Sequence, residues 1–472
     1  MCEYDSIDSD IVISEDVFQV FESLYVSSPQ PVDDYEKKIL RGILATPPLV
    51  SVVRVNLNHT EINDAIGLMT EYLRSLHQGE NYVVTKHNVL DDVLVVTSKQ
   101  VLGRYKIHAK EVIVDAICGA AILRGADLFA PGVLAADPSM KIGCPVSIFA
   151  DVDKKCRKGL MQRFAGLRFF VGSGVSRMER KSLFEKNVSQ NGIAIHITEP
   201  KYNLPSFDAL DSKTFFPQNF PSILVGHTLK PPPNSIVLDM CSSPGGKALH
   251  VATILKNTGV VICIDKTENK VARIRENASL QALSNIHAFV YDSTKLCKEG
   301  EWSEMKVEHR QPPYPTCSFK YIILDPPCSG LGQRPTLRCT MKKKDLESYP
   351  IYQRKLFKQA VSLLQKGGTL VYSTCTLQPA ENEQQVSWAL QTFQELELLT
   401  QPHPYGRHGL LGYGLNKEEC QKVQRFDSIY SNVSSRDKRD ELSHQSQHTK
   451  QNVSDLCQSD TIGFFIAYFR KN

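Results

Sequence analysis

The sequence predicts an α/β protein whose C-terminal half is a doubly wound, largely parallel sheet. After the proline run at 231–233, apolar strands alternate with helical segments, which is the pattern of a parallel sheet. A glycine-rich loop separates the first of these strands from a helix, and three later strands end at Asp265, Asp292 and Asp325. Because ligands of such sheets bind outside the carboxyl ends of the strands, these residues predict a binding site at one edge.

Two smaller units are predicted ahead of this sheet. Residues 1–107 show helical and then strand-like spacing of apolar residues, which indicates a small α+β region. The predicted helices are 16–25, 32–44 and 63–77, and the predicted strands are 51–56, around 83 and 93–97. Residues 108–203 contain short apolar runs separated by glycines, such as 119–125 and 169–174, which predict a β-rich module.

The third predicted unit, residues 204–472, contains the parallel sheet and a flexible loop at about 431–459. That segment is rich in serine, glutamine, aspartate and lysine and has almost no apolar residues, a composition that cannot form a core of its own. The apolar run 462–469 follows it and predicts a buried strand. We therefore expect the loop to lie inside the last domain.

Composition excludes several classes of protein. The 472 residues carry a formal net charge of only +4, so a nucleic-acid surface must be local rather than global. The thirteen cysteines include no C-x-x-C pair, which argues against a zinc or disulfide framework and for a reducing compartment. No apolar stretch approaches the roughly 20 residues that span a bilayer. We expect a cytoplasmic monomer without a bound metal or a membrane contact.

The glycine-rich loop and the strand-end aspartates predict a nucleotide-cofactor site. Glycines let the backbone approach a ligand, and the helix that follows offers unpaired N–H groups. Asp265, 19 residues beyond Gly246, is placed to bind ribose hydroxyls, although a single strand-end aspartate is as often a helix cap. The absence of G-x-G-x-x-G favours S-adenosylmethionine over NAD. The predicted cofactor-binding residues are Cys241, Ser242, Ser243, Pro244, Gly245, Gly246, Lys247, Asp265, Asp292 and Asp325.

Two cysteines, Cys328 and Cys375, each follow an apolar run that ends at the same predicted sheet edge. Cysteine is usually a small buried hydrophobe, but thiols at strand ends indicate covalent catalysis beside the cofactor. Methylation of carbon 5 of a pyrimidine needs such a thiolate, because its addition to carbon 6 makes carbon 5 nucleophilic. Asp325, three residues before Cys328, is placed to act on the ring nitrogen.

The motifs Cys241–Lys247, Asp325–Gly330 and Ser373–Thr376, followed by Glu381-Asn382-Glu383, resemble the Sun/Nop family of RNA cytosine-5 methyltransferases. The resemblance covers about residues 204–472. It implies that Cys375 is the nucleophile, that Cys328 assists release of the methylated RNA, and that Lys247 and Asp325 hold the cytosine. The chain departs from the family pattern at Ser242-Ser243 and Pro326, where alanines are usual, and neither departure removes a functional group.

The run 122–133 resembles the PUA domain, a small RNA-binding β-barrel. Between residues 154 and 178 the same module has seven basic residues and no acid, a local field that can bind phosphates. A PUA-like module ahead of a Sun-type domain resembles the transfer-RNA branch of the family, which implies methylation of a cytosine in the acceptor stem beside the 3′ CCA end. The predicted RNA contacts are Arg124, Phe129, Lys154, Lys155, Arg157 and Lys158, with Arg54 as a weaker candidate and a core role for Phe129 left open.

Two other functions are compatible with parts of the pattern. Asp325-Pro326-Pro327 is similar to the D-P-P-aromatic motif of exocyclic-amine methyltransferases, but here the fourth residue is Cys328 and Cys375 would have no role. An RNA-binding protein with a vestigial cofactor site is the second alternative. The intact thiols, Lys247 and the three aspartates argue against it.

Overall fold

The computed structural model describes residues 11–25, 34–76, 79–100, 102–185, 191–299, 311–427 and 453–472. Sheets of four, six and eight strands organise these residues, which confirms the α/β class. Most of the predicted loop at 431–459 lies outside the described residues. Its last part, Val453–Ser459, is a helix, so the loop prediction is wrong there. No helix in the described ranges is long and apolar enough to cross a bilayer.

The N-terminal region forms an antiparallel sheet covered by a helix. Its elements are strands β1 (Val12–Ile13), β2 (Val50–Val55), β3 (Tyr82–Lys86) and β4 (Val93–Ser98), and helices α1 (Glu15–Tyr25), α2 (Asp34–Ala45) and α3 (Ile62–Ser75). Val53 and Val55 of β2 pack with Met69 and Leu73 of α3. Strand β1 is not part of this sheet. The sheet consists of β2, β3, β4 and a fourth strand, Phe215–Pro217, which pairs antiparallel with β2. The predicted boundary at 203/204 therefore falls ahead of a strand that completes the N-terminal sheet.

The second unit is a six-stranded sheet with the strand order β6-β10-β9-β8-β5-β7. Its elements are β5 (Glu111–Asp115), β6 (Leu128–Phe129), β7 (Val133–Ala136), β8 (Pro145–Asp151), β9 (Arg168–Ser176), β10 (Ile193–Pro200), α4 (Ala116–Leu123) and α5 (Arg180–Phe184). Within the module, the run 119–125 was expected to be part of the β-structure and instead belongs largely to α4. A Cβ on Gly119 would lie 2.5 Å from the Cβ of Ala150, so this helix packs closely on β8. It is apolar nearly all round, and such a helix shows no amphipathic period.

The third unit is built on an eight-stranded sheet, whose strands are β12 (Ile236–Asp239), β13 (Val260–Asp265), β14 (Ile286–Val290), β17 (Phe319–Leu324), β19 (Leu364–Thr374), β20 (Leu396–Leu398), β21 (Gln424–Phe426) and β22 (Phe464–Lys471). Four strands between residues 215 and 339 lie outside this sheet: β11 (Phe215–Pro217) belongs to the N-terminal sheet, β15 (Cys297–Lys298) and β16 (Tyr314–Pro315) pair with each other, and β18 (Arg338–Cys339) pairs with β1. Its helices are α6 (Phe220–Leu229), α7 (Gly246–Ile254), α8 (Glu268–Leu280), α9 (Lys343–Leu363), α10 (Glu383–Thr392), α11 (Lys417–Lys422) and α12 (Val453–Ser459).

The strand order β14-β13-β12-β17-β19-β22-β20, with β21 also paired to β22, makes this sheet doubly wound. Strands β12, β13, β14, β17 and β19 are mutually parallel, and β22 runs antiparallel to β19. Alternate residues face opposite cores: Val237 and Ile323 face helices α6 to α8, whereas Leu238 and Ile322 face α9 and α10. The carboxyl ends of the parallel strands therefore meet at one edge.

The three units share apolar cores. Phe18 of α1 and Leu44 of α2 belong to one cluster with Val171 of the six-stranded module and with Leu337 and Leu377 of the third unit. Strand β1 also pairs with β18. Burial of this kind is the dominant stabilising term in a fold, so the described parts of the three units form one packed body.

Candidate active site

The two predicted thiols lie side by side at the carboxyl edge of the large sheet. Strand β19 ends at Thr374, one residue before Cys375, and it pairs with β17, which ends at Leu324 shortly before Cys328. The two Sγ atoms are 3.3 Å apart, and both side chains are only partly buried. The structure therefore brings together the two cysteines that the sequence predicted to share a pocket.

The two sulfurs have opposite acid–base tendencies. The pKa of Cys375 is lowered because the Cys328 thiol donates a hydrogen bond to its sulfur; burial and the charge of Asp325 act in the other direction, and Gln333 and Lys247 assist the lowering. The pKa of Cys328 is raised well above its usual value by that same hydrogen bond, with burial adding to the effect. Thiolate character, which makes a cysteine nucleophilic, is therefore concentrated on Cys375.

This asymmetry predicts the order of alkylation by iodoacetamide. Because its pKa is lowered, Cys375 should remain reactive at a pH where Cys328 does not react. As the pH falls, Cys375 should lose its reactivity only when the pH passes below its lowered pKa. Cys328→Ala removes the donor, so the alkylation midpoint of Cys375 should move to higher pH. Peptide mass spectrometry across a pH series measures both effects. Preferential alkylation of Cys328, or an unchanged midpoint in the variant, would contradict this assignment.

A lysine–aspartate pair borders the thiols. Lys247 Nζ lies 2.6 Å from Asp325 Oδ2, and Ser373 Oγ donates to Asp325 Oδ1 at 2.7 Å. Burial alone would lower the pKa of Lys247, but the charge of Asp325 and the hydrogen bond to it raise the pKa overall. The pair therefore places one cation and one oriented carboxylate beside Cys375, as groups that can hydrogen-bond a polar ring.

The buried acid Glu381 connects the two cysteine loops. It accepts hydrogen bonds from Ser329 N at 3.1 Å, from Ser329 Oγ and from Gln353 Nε2 at 2.7 Å, while Asn382 Nδ2 donates to Thr376 O at 2.9 Å. Burial raises the pKa of Glu381. Sequence reasoning noted these two residues only as part of a motif. These contacts hold the two cysteine loops together. Glu381 is 52 residues from Ser329 and 28 from Gln353, whereas Asn382 is 6 residues from Thr376, so only the last contact is local.

The glycine-rich loop connects β12 to α7 as predicted. Gly245 has a φ of +108°, a conformation that glycine adopts without strain. A Cβ on Gly246 would lie 3.3 Å from the ring of Phe216. Asp265, at the end of β13, accepts from Ser243 N at 3.1 Å and pairs with Lys270 at 3.0 Å. Its carboxylate thus fixes the loop and has lone pairs left for a ligand.

Further predicted cofactor residues converge around the same loop. Asp292 follows β14 and accepts from Thr294 N at 3.0 Å. A cavity of about 250 Å³ lies beside the loop, and neither Asp265 nor Asp292 is among the residues that line it. The loop and strand-end residues that line it are Asp239, Cys241, Ser242, Ser243, Pro244, Gly246, Lys247 and Asp325.

Asp239 is a site residue that the sequence analysis did not select. It ends β12 in the same way that Asp265 ends β13, so the strand-end rule itself could have found it. Its side chain is buried, and burial together with the charge of Asp325 raises its pKa to about 7. Asp239 is therefore a carboxyl group that can change its protonation near neutral pH inside the cavity.

The predicted basic surface is smaller than the sequence suggested. Lys154, Lys155, Arg157 and Lys158 are exposed on the loop after β8. Lys155 pairs with Asp153 at 2.8 Å, and Arg163 pairs with Glu111 at 2.7 Å. Within the described ranges no ion pair engages Lys154, Arg157 or Lys158, so these three carry the local positive charge.

The remaining RNA-contact predictions have different outcomes. Arg124 ends α4 and lines a cavity of about 470 Å³ between the three units, which Gln333 also lines. Phe129 is 42 % exposed, so its ring has a face available to a ligand. Arg54 is 1 % exposed, and its guanidinium binds Gln218 and Thr253 at 3.2 and 3.3 Å. The prediction that Arg54 contacts RNA is therefore wrong.

Comparisons with known proteins agree with this site. A family model described as 16S rRNA methyltransferase RsmB/F matches residues 226–418, which include both thiols and the glycine-rich loop. The chain is 40% identical over 451 residues to mouse tRNA (cytosine(72)-C(5))-methyltransferase NSUN6, covering 95% of this chain and 93% of the mouse protein. The human protein of the same name is 40% identical over 428 residues, covering 91% and 90% of the two chains.

A solved structure gives the corresponding likeness in three dimensions. The crystal structure of NSun6 from Pyrococcus horikoshii with SFG superposes with a TM-score of 0.70 at 26% sequence identity, covering 97% of this chain and 98% of that chain. The likeness thus extends through all three units and is not confined to the large sheet.

Proposed function

Because the chain belongs to the Sun/Nop family of RNA cytosine-5 methyltransferases, we propose that it methylates carbon 5 of a cytosine in the acceptor stem of transfer RNA, beside the 3′ CCA end. The chain is an S-adenosylmethionine-dependent RNA cytosine-5 methyltransferase. The transfer-RNA substrate is supported by the mouse and human relatives. The observation that carries the proposed chemistry is the 3.3 Å pair of sulfurs beside Lys247 and Asp325.

The residues at the sheet edge fit the cofactor. Gly246 has no side chain to block a ligand that approaches its backbone. The carboxylates of Asp265 and Asp292 provide two hydrogen-bond acceptors for ribose and amine groups. We infer that these residues, with loop 241–247, hold S-adenosylmethionine. When bound, this cofactor supplies a methyl group on a sulfonium sulfur, which carbon 5 of an activated cytosine can accept.

Cys375 is proposed to activate the base. Its thiolate adds to carbon 6 of the cytosine, forming an S–C6 bond and shifting an electron pair toward carbon 5. As the S–C6 bond forms, N3 of the ring takes up a proton from water, and Asp325, oriented by Lys247 and Ser373, accepts a hydrogen bond from the resulting N3–H. After methylation, a water molecule takes the proton of carbon 5, that C–H electron pair re-forms the C5–C6 double bond, the S–C6 electrons leave with Cys375 as its thiolate, and N3 returns its proton to water. Cys328, adjacent to the departing sulfur, is proposed to assist this release.

The proposed position of the target follows from the cost of exposing a base. A stacked cytosine cannot reach a thiol at a sheet edge, so it must unpair, which costs a few kcal/mol and least at the end of a helix. We propose that the module at 108–203 is a PUA-like barrel that holds the 3′ end. The cavity that Arg124 and Gln333 both line supports this path, because Gln333 also hydrogen-bonds Cys375.

The division into units at 1–107, 108–203 and 204–472, the monomeric state and the cytoplasmic location remain proposals. The twelve cysteines in the described ranges are all free thiols, which agrees with a reducing compartment.

The exocyclic-amine alternative is less well supported than cytosine-5 chemistry, since it gives no role to Cys375 at 3.3 Å from Cys328.

Bisulfite sequencing tests the proposed function directly. RNA from cells with and without the protein, and RNA from cells that carry a Cys375→Ala variant, should differ in protected cytosines. We expect protection of one cytosine beside the CCA end of a subset of transfer RNAs, lost in both controls. Protection confined to another RNA class, or to an internal position, would refute the proposed substrate while leaving the reaction type standing.

The basic surface predicts a change in salt dependence. Arg157→Ala/Lys158→Ala should weaken transfer-RNA binding and reduce the slope of log affinity against log salt by about one for each lost phosphate contact. Arg163→Ala, also exposed but paired with Glu111, is the matched control and should leave the slope nearly unchanged. Filter binding across a salt series measures both, and equal slopes in the two variants would argue against this surface.

A further inference from the structure

A second polar cluster lies away from the thiols, where the N-terminal sheet packs on helices α6 and α7. Asp92, in the turn that leads into β4, is buried, as is His250 of α7, while His227 of α6 is partly buried. Asp92 Oδ1 lies 2.8 Å from His227 Nε2, and Asp92 Oδ2 lies 2.8 Å from His250 Nε2. One carboxylate therefore contacts two imidazoles from two different helices.

These three side chains have the donor atoms and the spacing of a metal site. One ligand atom from each of them lies within 4.8 Å of the other two. Two histidine nitrogens and one carboxylate oxygen, with a fourth position for a further ligand, form a set that zinc accepts. In a tetrahedral site with bonds of about 2.0–2.2 Å, ligand atoms lie roughly 3.3 Å apart. The two 2.8 Å contacts go to different oxygens of Asp92, and the three ligand atoms, which lie within 4.8 Å of one another, would have to settle near that spacing around an ion.

Two more histidines surround the cluster. The ring of His403 lies 5.9 Å from that of His227, centroid to centroid. His87 is fully buried and uses Nδ1 to accept from Val89 N and Leu90 N, while its Nε2 has no hydrogen-bond partner among the described residues. A hydrogen bond between two domains needs only one imidazole beside the aspartate, whereas four histidines lie in this region.

The hydrogen bonds to Asp92 fix where the ring protons lie. Each 2.8 Å contact joins an imidazole Nε2 to a carboxylate oxygen, so without an ion each ring donates its Nε2–H to Asp92. An ion bound through these nitrogens would move that proton to Nδ1, and the Nδ1 of His250 is buried without a hydrogen-bond partner among the described residues.

We propose that Asp92, His227 and His250 bind one zinc-class divalent ion, with a water molecule in the fourth position. The ion fastens the β3–β4 turn of the N-terminal sheet to helices α6 and α7. Since α7 begins at Gly246 and carries Lys247, the ion also stabilises the helix that presents the lysine of the thiol site. The cysteine spacing of the sequence gave no sign of such a site because its ligands are not cysteines and come from three separate segments.

Metal reconstitution of the full chain tests the proposal. The chelator-stripped protein is titrated with Zn²⁺ or Co²⁺, and bound metal is measured after gel filtration. We expect one ion per chain, a visible Co²⁺ absorption typical of tetrahedral nitrogen and oxygen ligation without a near-ultraviolet thiolate band, and a Tm that rises by several degrees with Zn²⁺. Failure of the stripped wild-type chain to take up metal above background would overturn the proposal.

Variants locate the ion. His227→Ala and His250→Gln should both lose the bound metal and the metal-dependent rise in Tm, whereas His403→Ala, which removes a neighbouring ring outside the ligand set, should retain both. Cys328→Ser/Cys375→Ser is the matched control, because two sulfurs 3.3 Å apart are the main competing metal ligands, and it should retain the ion. Loss of metal in this control together with retention in both histidine variants would place the ion on the thiols and refute the site; far-UV circular dichroism verifies that each variant is folded.

Discussion

Cys375→Ala should abolish methyl transfer, with a loss of at least about a thousandfold in turnover, because the proposed pathway has no other route to a nucleophilic carbon 5. The cofactor contacts lie on loop 241–247 and on Asp265 and Asp292 rather than on this sulfur, so affinity for S-adenosylmethionine should stay within a few-fold. Transfer of a radiolabelled methyl group to transfer RNA measures the first effect, and calorimetric titration of the cofactor measures the second.

Cys317→Ser is the control for loss of a thiol as such. Cys317 is exposed, and its backbone N–H, not its sulfur, bonds Ser362 O, so the variant should retain wild-type turnover. Appreciable methyl transfer by Cys375→Ala would exclude Cys375 as the nucleophile. A parallel loss of cofactor affinity would instead show that the side chain contributes to the cofactor site.

Cys328→Ala should trap the enzyme on its substrate. If Cys328 assists expulsion of Cys375 from carbon 6, its removal leaves the S–C6 bond intact, and a covalent protein–RNA complex should accumulate toward one RNA per chain. The low pKa of Cys375 depends on the hydrogen bond from Cys328, so adduct formation should also slow at low pH. A denaturing gel with labelled transfer RNA resolves the complex.

The double variant Cys328→Ala/Cys375→Ala separates the two roles, since it should form no complex. An adduct that appeared with Cys375→Ala alone would show that the roles are exchanged. Cys263→Ala offers a second control: that thiol is fully buried in β13, so it has no access to RNA and its variant should form no complex.

The large sheet could be predicted because each of its strands is recognisable from its own residues. Runs such as 260–264 are buried and apolar along their whole length, and the acids that follow them, such as Asp265, mark the carboxyl edge. The adjacency of Cys328 and Cys375 followed from the rule that parallel strand ends meet. The structure places the two sulfurs at that edge, and their catalytic roles stay predictions.

Features that depend on distant contacts could not be predicted. The pairing of Phe215–Pro217 with β2 joins segments separated by the whole six-stranded module, and no pattern in either strand specifies its partner. The sequence predicts β-structure where helix α4 lies because the helix is apolar on nearly all sides, including the exposed Ile117, and so has no hydrophobic period. Arg54 occupies a position in its strand where the alternation of apolar and polar residues predicts an exposed side chain. Its guanidinium is instead buried among polar partners from other elements.

The shared core of Phe18, Leu44, Val171, Leu337 and Leu377 has a consequence for how a nucleotide is chosen. It joins the module proposed to hold the end of the RNA to the unit that carries the thiols, so we expect the distance between the two sites to change little when RNA binds. We therefore expect the enzyme to select the nucleotide whose distance from the RNA terminus matches the distance between the two sites. Lengthening or shortening the RNA tail by one nucleotide should then misplace the target base, whatever its sequence.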